Sequence, residues 1–254
     1  MLNPPAPGLI TLSIITVTYH DLERFKRTAE TMKWSSEMSV EWIVVLPLDD
    51  LPTRTYINSL QSNSKLRVVD DLGDGIYEAM NLGLMSARGE YVSFLNSGDL
   101  VSSLNLLGQL IDFLKAKKRE IIVVDVEIPW RKPQIVSMDN FQNFTLFKVD
   151  SFISHQSIII RTSLLLEMGG FDLRYRVAAD TDLIIRVAQQ GQTSFFDHKV
   201  FFVEQPNFAS QRNRRARAEV VMIAFLASRG INRIKIPLSL ILRELKALFQ
   251  RFIR

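Results

Sequence analysis

Four polar residues, Asn96, Ser97, Gly98 and Asp99, follow a short apolar run in the middle of the chain. The run, residues 91–95, is rich in β-forming side chains and predicts a strand that is covered on both faces. Ligands of open α/β sheets bind just outside the carboxyl ends of strands. At such a place Asp99 could hold a divalent cation with its bound phosphates, and Gly98 would allow close backbone approach. An ordinary loop that caps the next helix would use the same residues, so these four alone leave both interpretations open.

The residues before this strand predict a turn and a helix. Asp74 and Gly75 have turn chemistry. Small and apolar residues then recur at helical spacing over residues 76–87, and Gly89 stands where a helix end needs a left-handed residue. A turn, a helix, a second turn and a buried strand therefore lead directly to Asp99.

Strands and helices alternate along the rest of the chain. Strands are predicted over residues 12–18, 41–46, 65–69, 91–95, 121–126, 157–160, 193–196 and 199–203. Helices are predicted from Asp21 to about Lys33 and over residues 52–60, 76–87, 100–118, 163–168 and 180–190. This alternation is typical of an α/β fold with a mostly parallel sheet flanked by helices.

Composition limits the class of protein. The chain has 254 residues, 47% of them hydrophobic and 23% charged, as in a globular protein. It has no cysteine, which excludes disulfides and thiolate–metal sites. No apolar run reaches the roughly 18–20 residues that span a bilayer, and residues 1–8 lack the pattern of a signal peptide. We therefore expect a flexible N-terminus over residues 1–8 and a cytoplasmic protein.

The charge divides the chain at about Pro206. Residues 207–254 hold eleven basic and two acidic residues, a net charge of +9, which leaves −5 for the preceding part of a chain whose total is +4. We predict a catalytic domain over residues 9–206 and a basic helical tail over residues 207–254. Within the tail, residues 237–254 predict an amphipathic helix with basic residues beside an apolar face, which is typical of peripheral binding to an anionic membrane. Docking on the protein itself or on a partner helix is the alternative, and nucleic-acid binding has no accompanying motif.

Two linked motifs, DGIYEAMNLG from Asp74 and FLNSGD ending at Asp99, resemble the donor-site segment of family 2 glycosyltransferases. The resemblance is strongest to the subgroup that builds bacterial exopolysaccharides such as colanic acid. It implies the A-type fold of nucleotide-diphospho-sugar transferases, a nucleotide-sugar donor and a divalent cation, Mg²⁺ or Mn²⁺, with Asp99 as its protein ligand. It also implies that the donor is bound by Thr18, Tyr19, Asp74, Asn96, Ser97 and Asp99.

A second segment extends the resemblance towards the acceptor side. Asp180 matches the catalytic base of the family, which removes the proton of the acceptor hydroxyl in an inverting transfer. Its position at a predicted helix start would also suit a capping residue. Contacts with acceptor or diphosphate are predicted for His155, Gln156, Arg212 and Arg214; a structural histidine and a solvated charge run are the alternatives there.

The sequence also departs from the family. Leu46 stands where relatives have a nucleotide-contacting Asp, and Asp49 or Asp50 could replace that contact from a reshaped loop. Asn96 and Ala179 replace two further carboxylates. The sequence therefore predicts an inverting, metal-dependent glycosyltransferase with a glycan or lipid-linked acceptor at the inner membrane surface. A catalytically impaired nucleotide-sugar-binding or scaffold protein is the first alternative, and a nucleotidyltransferase is the second.

Overall fold

The computed structural model describes residues 10–33, 38–60, 65–129, 154–190 and 193–204, together with positions 219 and 223. Its core is one sheet of eight strands in the order β3-β2-β1-β4-β7-β6-β8-β5. The strands are β1 Leu12–Val17, β2 Val40–Pro47, β3 Leu66–Asp71, β4 Tyr91–Phe94, β5 Leu100–Val101, β6 Ile121–Glu127, β7 Ile158–Arg161 and β8 Thr193–Phe202. The helices are α1 Leu22–Thr31, α2 Leu51–Ser59, α3 Ile76–Ser86, α4 Leu104–Lys117, α5 Thr162–Glu167 and α6 Ala179–Ala188.

Strands β1 to β4 are parallel to one another, whereas β7 runs antiparallel to both β4 and β6. Beyond β7 the sheet is mixed, with β6 parallel to β8 and β5 antiparallel to β8. All four carboxyl ends of the parallel strands thus lie at one edge of the sheet. The predicted α/β class, with a mostly parallel sheet flanked by helices, is confirmed for the described residues, although the half of the sheet beyond β4 is mixed.

Apolar residues of β1 alternate between two hydrophobic cores. Leu12 and Ile14 face the core that α1, α2 and α4 cover, and Ile15 and Val17 face the core that α3, α5 and α6 cover. Gly83 lets α3 lie close to the sheet, because a Cβ there would meet the side chain of Ile15. Burial on both faces explains why the parallel strands read as nearly continuous apolar runs.

Two predicted elements differ from the structure. The helix predicted from residue 100 begins at Leu104, because Leu100 and Val101 pair with the end of β8 and Ser103 caps the helix by accepting from Asn105 N–H at 3.2 Å. The two strands predicted after residue 192 are one strand, β8, whose pairing with β6 shifts register on either side of Asp125. A register shift of this kind places polar residues inside a continuous strand and imitates a break in the sequence pattern.

Much of the predicted tail lies outside the described residues, as do residues 1–8 and 130–153. Glu219 and Ile223 are the exceptions: both are helical, and both are buried, with 6% and 2% of their surface exposed. Ile223 belongs to the same hydrophobic core as α3 and α6. At these two positions the tail packs on the predicted catalytic domain. Within the described residues, no helix is long and apolar enough to span a membrane.

Candidate functional site

The loop that follows β4 lies against the end of β1. Leu95 N–H donates to Ile15 O at 2.9 Å and Ser97 N–H donates to Val17 O at 3.2 Å, so the main chain continues the parallel pairing beyond β4. Gly98 has a φ of 98°, which favours glycine, and its N–H donates to Thr28 Oγ1 on α1 at 2.8 Å. The structure therefore brings Asn96 to Asp99 beside Thr18, as the position of the strands predicts.

Several polar oxygens at this edge have no hydrogen-bond partner among the described residues. They are buried, and they are Thr18 Oγ1, Asn96 Oδ1, Ser97 Oγ and Ser157 Oγ. Buried polar atoms are nearly always paired in folded proteins, so a cluster of unpaired ones at a strand edge fits a polar ligand. Three of the four belong to residues that the sequence predicts as donor contacts.

Asp99 is the most enclosed acidic residue of the site, with 2% of its surface exposed. Its Oδ2 accepts from Asn96 N–H at 3.1 Å and from Gln156 Nε2 at 2.8 Å, and its Oδ1 accepts from Glu204 N–H at 2.9 Å. The carboxylate thus joins the loop after β4, the segment before β7 and the segment after β8. Its hydrogen bonds give it a structural role at the base of the site.

These bonds decide how well Asp99 fits a cation. A carboxylate that already accepts three N–H groups has little lone-pair capacity left for Mg²⁺ or Mn²⁺. In the described part of the chain, no three His, Asp or Glu side chains are grouped so that they could hold a metal. In this geometry the residues do not fit the predicted cation site, and no chemical step below passes through a metal.

Burial also makes Asp99 sensitive to pH. Burial raises the pKa of Asp99 to about 6, because it outweighs the three hydrogen bonds. Since the folded pKa lies above the ordinary value of 3.8, the protonated form stabilises the fold at low pH, and this contribution disappears as pH rises through about 6. Two pKa units correspond to about 3 kcal/mol. We expect the unfolding free energy of the wild type to fall by this amount relative to Asp99→Asn between pH 4 and 7.

Urea unfolding of both proteins at four pH values across that range measures this difference. Asp112→Asn, which removes an exposed carboxyl on α4, is the control and should give a nearly constant difference. A wild type that gains stability relative to Asp99→Asn as pH rises would contradict the assignment of the raised pKa.

The end of β1 offers two further predicted donor residues. Thr18 is buried, with Thr18 N–H donating to Val45 O at 3.0 Å, whereas Tyr19 is 69% exposed and its ring meets the ring of His20 edge-on at 4.8 Å. An exposed ring at a strand end is suited to stacking on a nucleotide base. Asp74 is exposed in the turn that precedes α3. These residues lie on the predicted donor side, but the structure records no contact that joins Asp74 to the loop after β4.

In the loop after β2, Asp49 and Asp50 have different roles. From the sequence, both are candidates to replace the nucleotide-contacting carboxylate that is missing at Leu46. Leu46 is fully buried in the core. Asp50 is 2% exposed and caps α2 by accepting from Thr53 N–H at 3.2 Å, and it also accepts from His20 N–H at 3.1 Å. Asp49 is exposed and its Oδ1 lies 3.4 Å from His20 Nε2. Only Asp49 presents its carboxylate to a ligand, since Asp50 is used by the fold.

Asp180 lies in the first turn of α6, and its two oxygens differ. Oδ1 accepts from Thr181 N–H at 2.8 Å and faces the hydroxyl of Tyr77, on α3, at 3.2 Å. Oδ2 points towards His155, with 3.9 Å between Oδ2 and His155 Nδ1. The side chain is 33% exposed, so a substrate can reach it. One oxygen is held by the protein and the other is free to take a proton.

His155 connects Asp180 to the loop after β4. It opens a 3₁₀ turn, His155–Ser157, and its Nε2 lies 3.3 Å from Asn96 Nδ2. Burial lowers the pKa of His155, while the negative charge of Asp180 opposes this shift. Its neighbour Gln156 instead bonds to Asp99. The structure therefore brings the predicted residues 96, 155 and 180 together and gives Gln156 a structural partner.

Tyr77 is a residue of this site that the sequence does not single out. Its hydroxyl, on a largely buried ring that stacks on Phe171, donates its single proton to Val177 O at 2.8 Å or to Asp180 Oδ1. Burial, with the charge of Asp180, raises the pKa of Tyr77, so the hydroxyl stays protonated. Because Tyr77 follows Asp74 and Gly75, the same motif shapes the donor-side turn and holds the carboxylate on α6.

We expect Tyr77→Phe to lower kcat about tenfold and to leave the KM for the nucleotide-sugar donor within about twofold, since the ring packing is kept and only the hydroxyl, with its contacts to Val177 O and Asp180 Oδ1, is lost. Steady-state kinetics measure the change, and Tyr56→Phe on α2 is the control. An unchanged kcat would show that the Tyr77 hydroxyl does not contribute to the reaction.

Glu219 contributes a second, unforeseen contact. Its Oε1 accepts from Arg176 N–H at 3.1 Å, and its Oε2 accepts from Val177 N–H at 2.8 Å and Ala178 N–H at 3.0 Å. These three amides lead directly into α6. A residue about forty positions away therefore adds a negative charge at this helix start to those of Asp180 and Asp182, and Ala179, where the resembling family has Glu, is fully buried.

Arg212 and Arg214, the remaining predicted contacts, lie outside the described residues. The described site thus has the predicted donor side at the ends of β1 and β4 and a partly exposed carboxylate, Asp180, opposite it. His155 spans the distance between the two sides.

Comparison with known proteins identifies the class of fold. No family model matches the chain. The chain is 26% identical over 187 residues to uncharacterized glycosyltransferases of two Mycobacterium tuberculosis strains, which covers 70% of this chain and 69% of theirs. It is 30% identical over 128 residues to a Mycobacterium bovis protein named PGL/p-HBAD biosynthesis glycosyltransferase, covering 48% of this chain and 47% of that protein.

Solved structures agree with these relatives. The crystal structure of Staphylococcus aureus TarS 1-349 with UDP-GlcNAc has a TM-score of 0.71 at 17% identity, over 93% of this chain and 70% of that one. A mannosyltransferase of Pyrobaculum calidifontis, solved with GDP-Man and Mn²⁺, has a TM-score of 0.66 at 16% identity, over 91% and 68%. The chain is similar in sequence to these glycosyltransferases, and it has the A-type fold, as the sequence predicts. The similarity to the exopolysaccharide subgroup is not tested by these matches and stays a prediction.

Proposed function

We propose that this protein is an inverting glycosyltransferase that moves a sugar from a nucleotide-diphosphate sugar to a hydroxyl of a glycan or lipid-linked acceptor. The observation that carries the proposal is the placement of Asp180: its free Oδ2 faces the donor-side loop across His155, which lies 3.9 Å from Asp180 and 3.3 Å from Asn96. A single accessible carboxylate opposite a donor site is what an inverting transfer needs.

In this reaction the acceptor hydroxyl attacks the anomeric carbon from the face opposite the diphosphate. A new C–O bond forms, the bond from that carbon to the diphosphate oxygen breaks, and the electron pair leaves with the nucleoside diphosphate. The hydroxyl proton passes to Asp180 Oδ2. Tyr77 and Thr181 hold Oδ1 and thereby orient Oδ2 towards the acceptor.

The donor side supports a nucleotide sugar as substrate. Thr18, Asn96 and Ser97 present buried oxygens without partners, and Tyr19 exposes a ring beside them. TarS and the mannosyltransferase, which share the fold, were solved with UDP-GlcNAc and GDP-Man. We propose that this chain also uses a nucleotide-diphosphate sugar as donor, without assigning the particular sugar or base.

The setting of the reaction follows from the sequence motifs. We propose synthesis of a bacterial exopolysaccharide or another cell-surface polysaccharide, on the cytoplasmic face of the membrane, with the basic segment over residues 237–254, for which the sequence predicts an amphipathic helix, as the membrane contact. Liposome flotation of the full chain against a chain ending at residue 236 tests this contact. Equal flotation on anionic liposomes would contradict it.

The activity is tested by a donor screen. The full chain is incubated with common UDP-, GDP- and TDP-sugars, with and without membrane extract as acceptor, and release of nucleoside diphosphate is measured in Mn²⁺, in Mg²⁺ and in EDTA. We expect acceptor-dependent release from one class of donor. No release from any donor would contradict the proposal, and the EDTA arm tests the predicted metal dependence.

A second function, binding of a nucleotide sugar without catalysis, is supported by the geometry of Asp99, whose carboxylate is fully engaged by three N–H donors. Calorimetry with nucleoside diphosphates distinguishes the two: binding in the absence of any turnover in the donor screen would favour this alternative.

A further inference from the structure

We propose that His155 is held by Asn96 in the tautomer that carries its proton on Nδ1, and that this Nδ1–H donates to the oxygen of the acceptor hydroxyl whose proton Asp180 removes. The inference rests on the proposed function and assigns to the same site a second contact with the reacting hydroxyl.

The tautomer follows from the Asn96 contact. Asn96 Nδ2, 3.3 Å from His155 Nε2, is an amide nitrogen and can only donate, so Nε2 must accept and carry no proton. A neutral imidazole has one N–H, which then resides on Nδ1. Burial of the ring keeps it neutral, since burial lowers the pKa of His155. Asn96 thus determines which hydrogen-bonding group the histidine presents to the acceptor side.

Among the described residues, no group lies within hydrogen-bond distance of this Nδ1–H. Asp180 Oδ2 is the nearest acceptor that the structure gives for Nδ1, and 3.9 Å is too long for a hydrogen bond. Two atoms at this separation can both bond to one oxygen placed about 2.8 Å from each. A hydroxyl in this position would donate its proton to Asp180 Oδ2 and accept from His155 Nδ1–H.

This geometry orients the hydroxyl for attack. One lone pair of its oxygen is taken by His155 and its proton is directed at Asp180, which leaves the remaining lone pair for the anomeric carbon. In the step, the proton moves to Oδ2, the oxygen forms the bond to the sugar and the diphosphate departs with the electron pair. His155 gains and loses no proton, and its contribution is to positioning.

The same contact makes the site depend on the loop after β4. Asn96 follows the strand whose carboxyl end forms the donor side, and its own Oδ1 is buried and without a partner among the described residues. A nucleotide-sugar donor with a group that donates a hydrogen bond to this oxygen would fix the orientation of the Asn96 amide. The amide in turn determines the tautomer of His155. We therefore expect the correct tautomer to be most completely populated when a nucleoside diphosphate is bound.

Nitrogen NMR tests the tautomer without any need for activity. The full chain has three histidines, His20, His155 and His198, and ¹⁵N-histidine labelling with long-range ¹H–¹⁵N spectra distinguishes the two ring nitrogens; His155→Asn assigns the signal. With UDP or GDP bound, we expect a protonated Nδ1 and an unprotonated Nε2 at His155. A protonated Nε2, or a charged ring at pH 7.5, would overturn the inference.

Two substitutions test whether His155 Nδ1–H acts as a hydrogen-bond donor to the acceptor hydroxyl. The amide nitrogen of an asparagine side chain can replace Nδ1, and that of glutamine can replace Nε2 but not Nδ1. We expect His155→Asn to keep kcat within about fivefold and His155→Gln to lower it about a hundredfold. Calorimetric Kd values for the nucleoside diphosphate should stay within twofold in both variants, because the contact is with the acceptor.

The two variants separate failure of this inference from failure of the proposed function. A wild type that transfers sugar, with equal kcat losses in His155→Asn and His155→Gln, would overturn the role of His155 and leave the activity established. A wild type without turnover on any donor would overturn both. Circular dichroism and thermal unfolding of each variant exclude a folding defect as the cause of a loss.

Discussion

Asp180→Asn is expected to lower kcat for sugar transfer by about 10²–10⁴-fold, the usual contribution of a general base. The amide keeps the shape of the side chain and its Oδ1 can still accept from Thr181 N–H, but its nitrogen replaces the oxygen that would take the proton. Binding of the donor should be nearly unchanged, because the donor side is built by other residues. Steady-state kinetics, together with calorimetry of nucleoside diphosphate binding, measure the two quantities separately.

Asp182→Asn is the matched control in the same helical turn. Asp182 Oδ2 lies 2.7 Å from Arg186 Nε, and this side chain is only 16% exposed, so its role is to hold α6 together. Its substitution should reduce stability by up to about 1 kcal/mol and leave kcat within about threefold. If Asp180→Asn and Asp182→Asn had equal kinetics, or if Asp180→Asn retained full activity, Asp180 would not be the base.

The position of the loop after β4, the predicted donor side, could be predicted from the sequence because its signals are local. A buried strand followed by polar residues and glycine determines both the fold and the position of Asn96 to Asp99, and the pairing of β1 with β4 places them beside Thr18. Similarly, α1 begins directly after Asp21, where the sequence predicts its start, and Asp21 caps it by accepting from Arg24 N–H at 3.2 Å. Hydrophobic periodicity, the change from apolar to polar residues and helix capping each depend on a few neighbouring residues, so they can be predicted from the sequence.

The function of Asp99 could not be predicted in this way. Its position in the motif indicates a metal ligand, but its environment is made by Gln156 and Glu204, which are 57 and 105 residues away in sequence. Whether a carboxylate is free or fully bonded depends on such distant donors. Asp50 is a different case, because its cap on α2 is local and only its bond from His20 N–H, 30 residues away, depends on the fold.

The contacts around Asp180 could not be predicted from the sequence for the same reason: they come from residues far away along the chain. Tyr77 is 103 residues from Asp180, and in the sequence it is one aromatic residue in an apolar helix. Glu219 stands in a strongly basic segment, where an isolated carboxylate gives no signal of its own. The predicted boundary at residue 206 separates Glu219 from the domain whose helix start it binds. Charge composition describes a segment on average and does not reveal a single buried contact.

These contacts connect three separate parts of the chain to one carboxylate. Tyr77 on α3 and His155 before β7 approach the side chain of Asp180, and Glu219 binds the main chain that precedes it. Each contact comes from an element that is also packed in the hydrophobic core or joined to the loop after β4. The position of the base should therefore depend on the integrity of the C-terminal segment as well as on α6.

Glu219→Ala tests this dependence and should have the largest effect on stability. The substitution leaves the N–H groups of Arg176, Val177 and Ala178 without their acceptor, the last of them buried and the other two part-buried, and each unpaired buried group costs about 1–3 kcal/mol. Allowing for partial rearrangement, we expect a loss of about 3–5 kcal/mol in unfolding free energy. Urea unfolding followed by circular dichroism measures it.

The kinetic effect of Glu219→Ala should be a loss of kcat of at least about tenfold in protein that remains folded, because the segment that carries Asp180 loses its anchor. Glu23→Ala on α1 is the control: its carboxylate is 81% exposed and ion-paired only with Lys26 three residues away, so stability and kcat should hardly change. Donor affinity is expected to stay within about threefold in Glu219→Ala, since Thr18, Asn96 and Ser97 lie on the other side of the site. If Glu219→Ala were as stable and as active as Glu23→Ala, the C-terminal segment would not position the base.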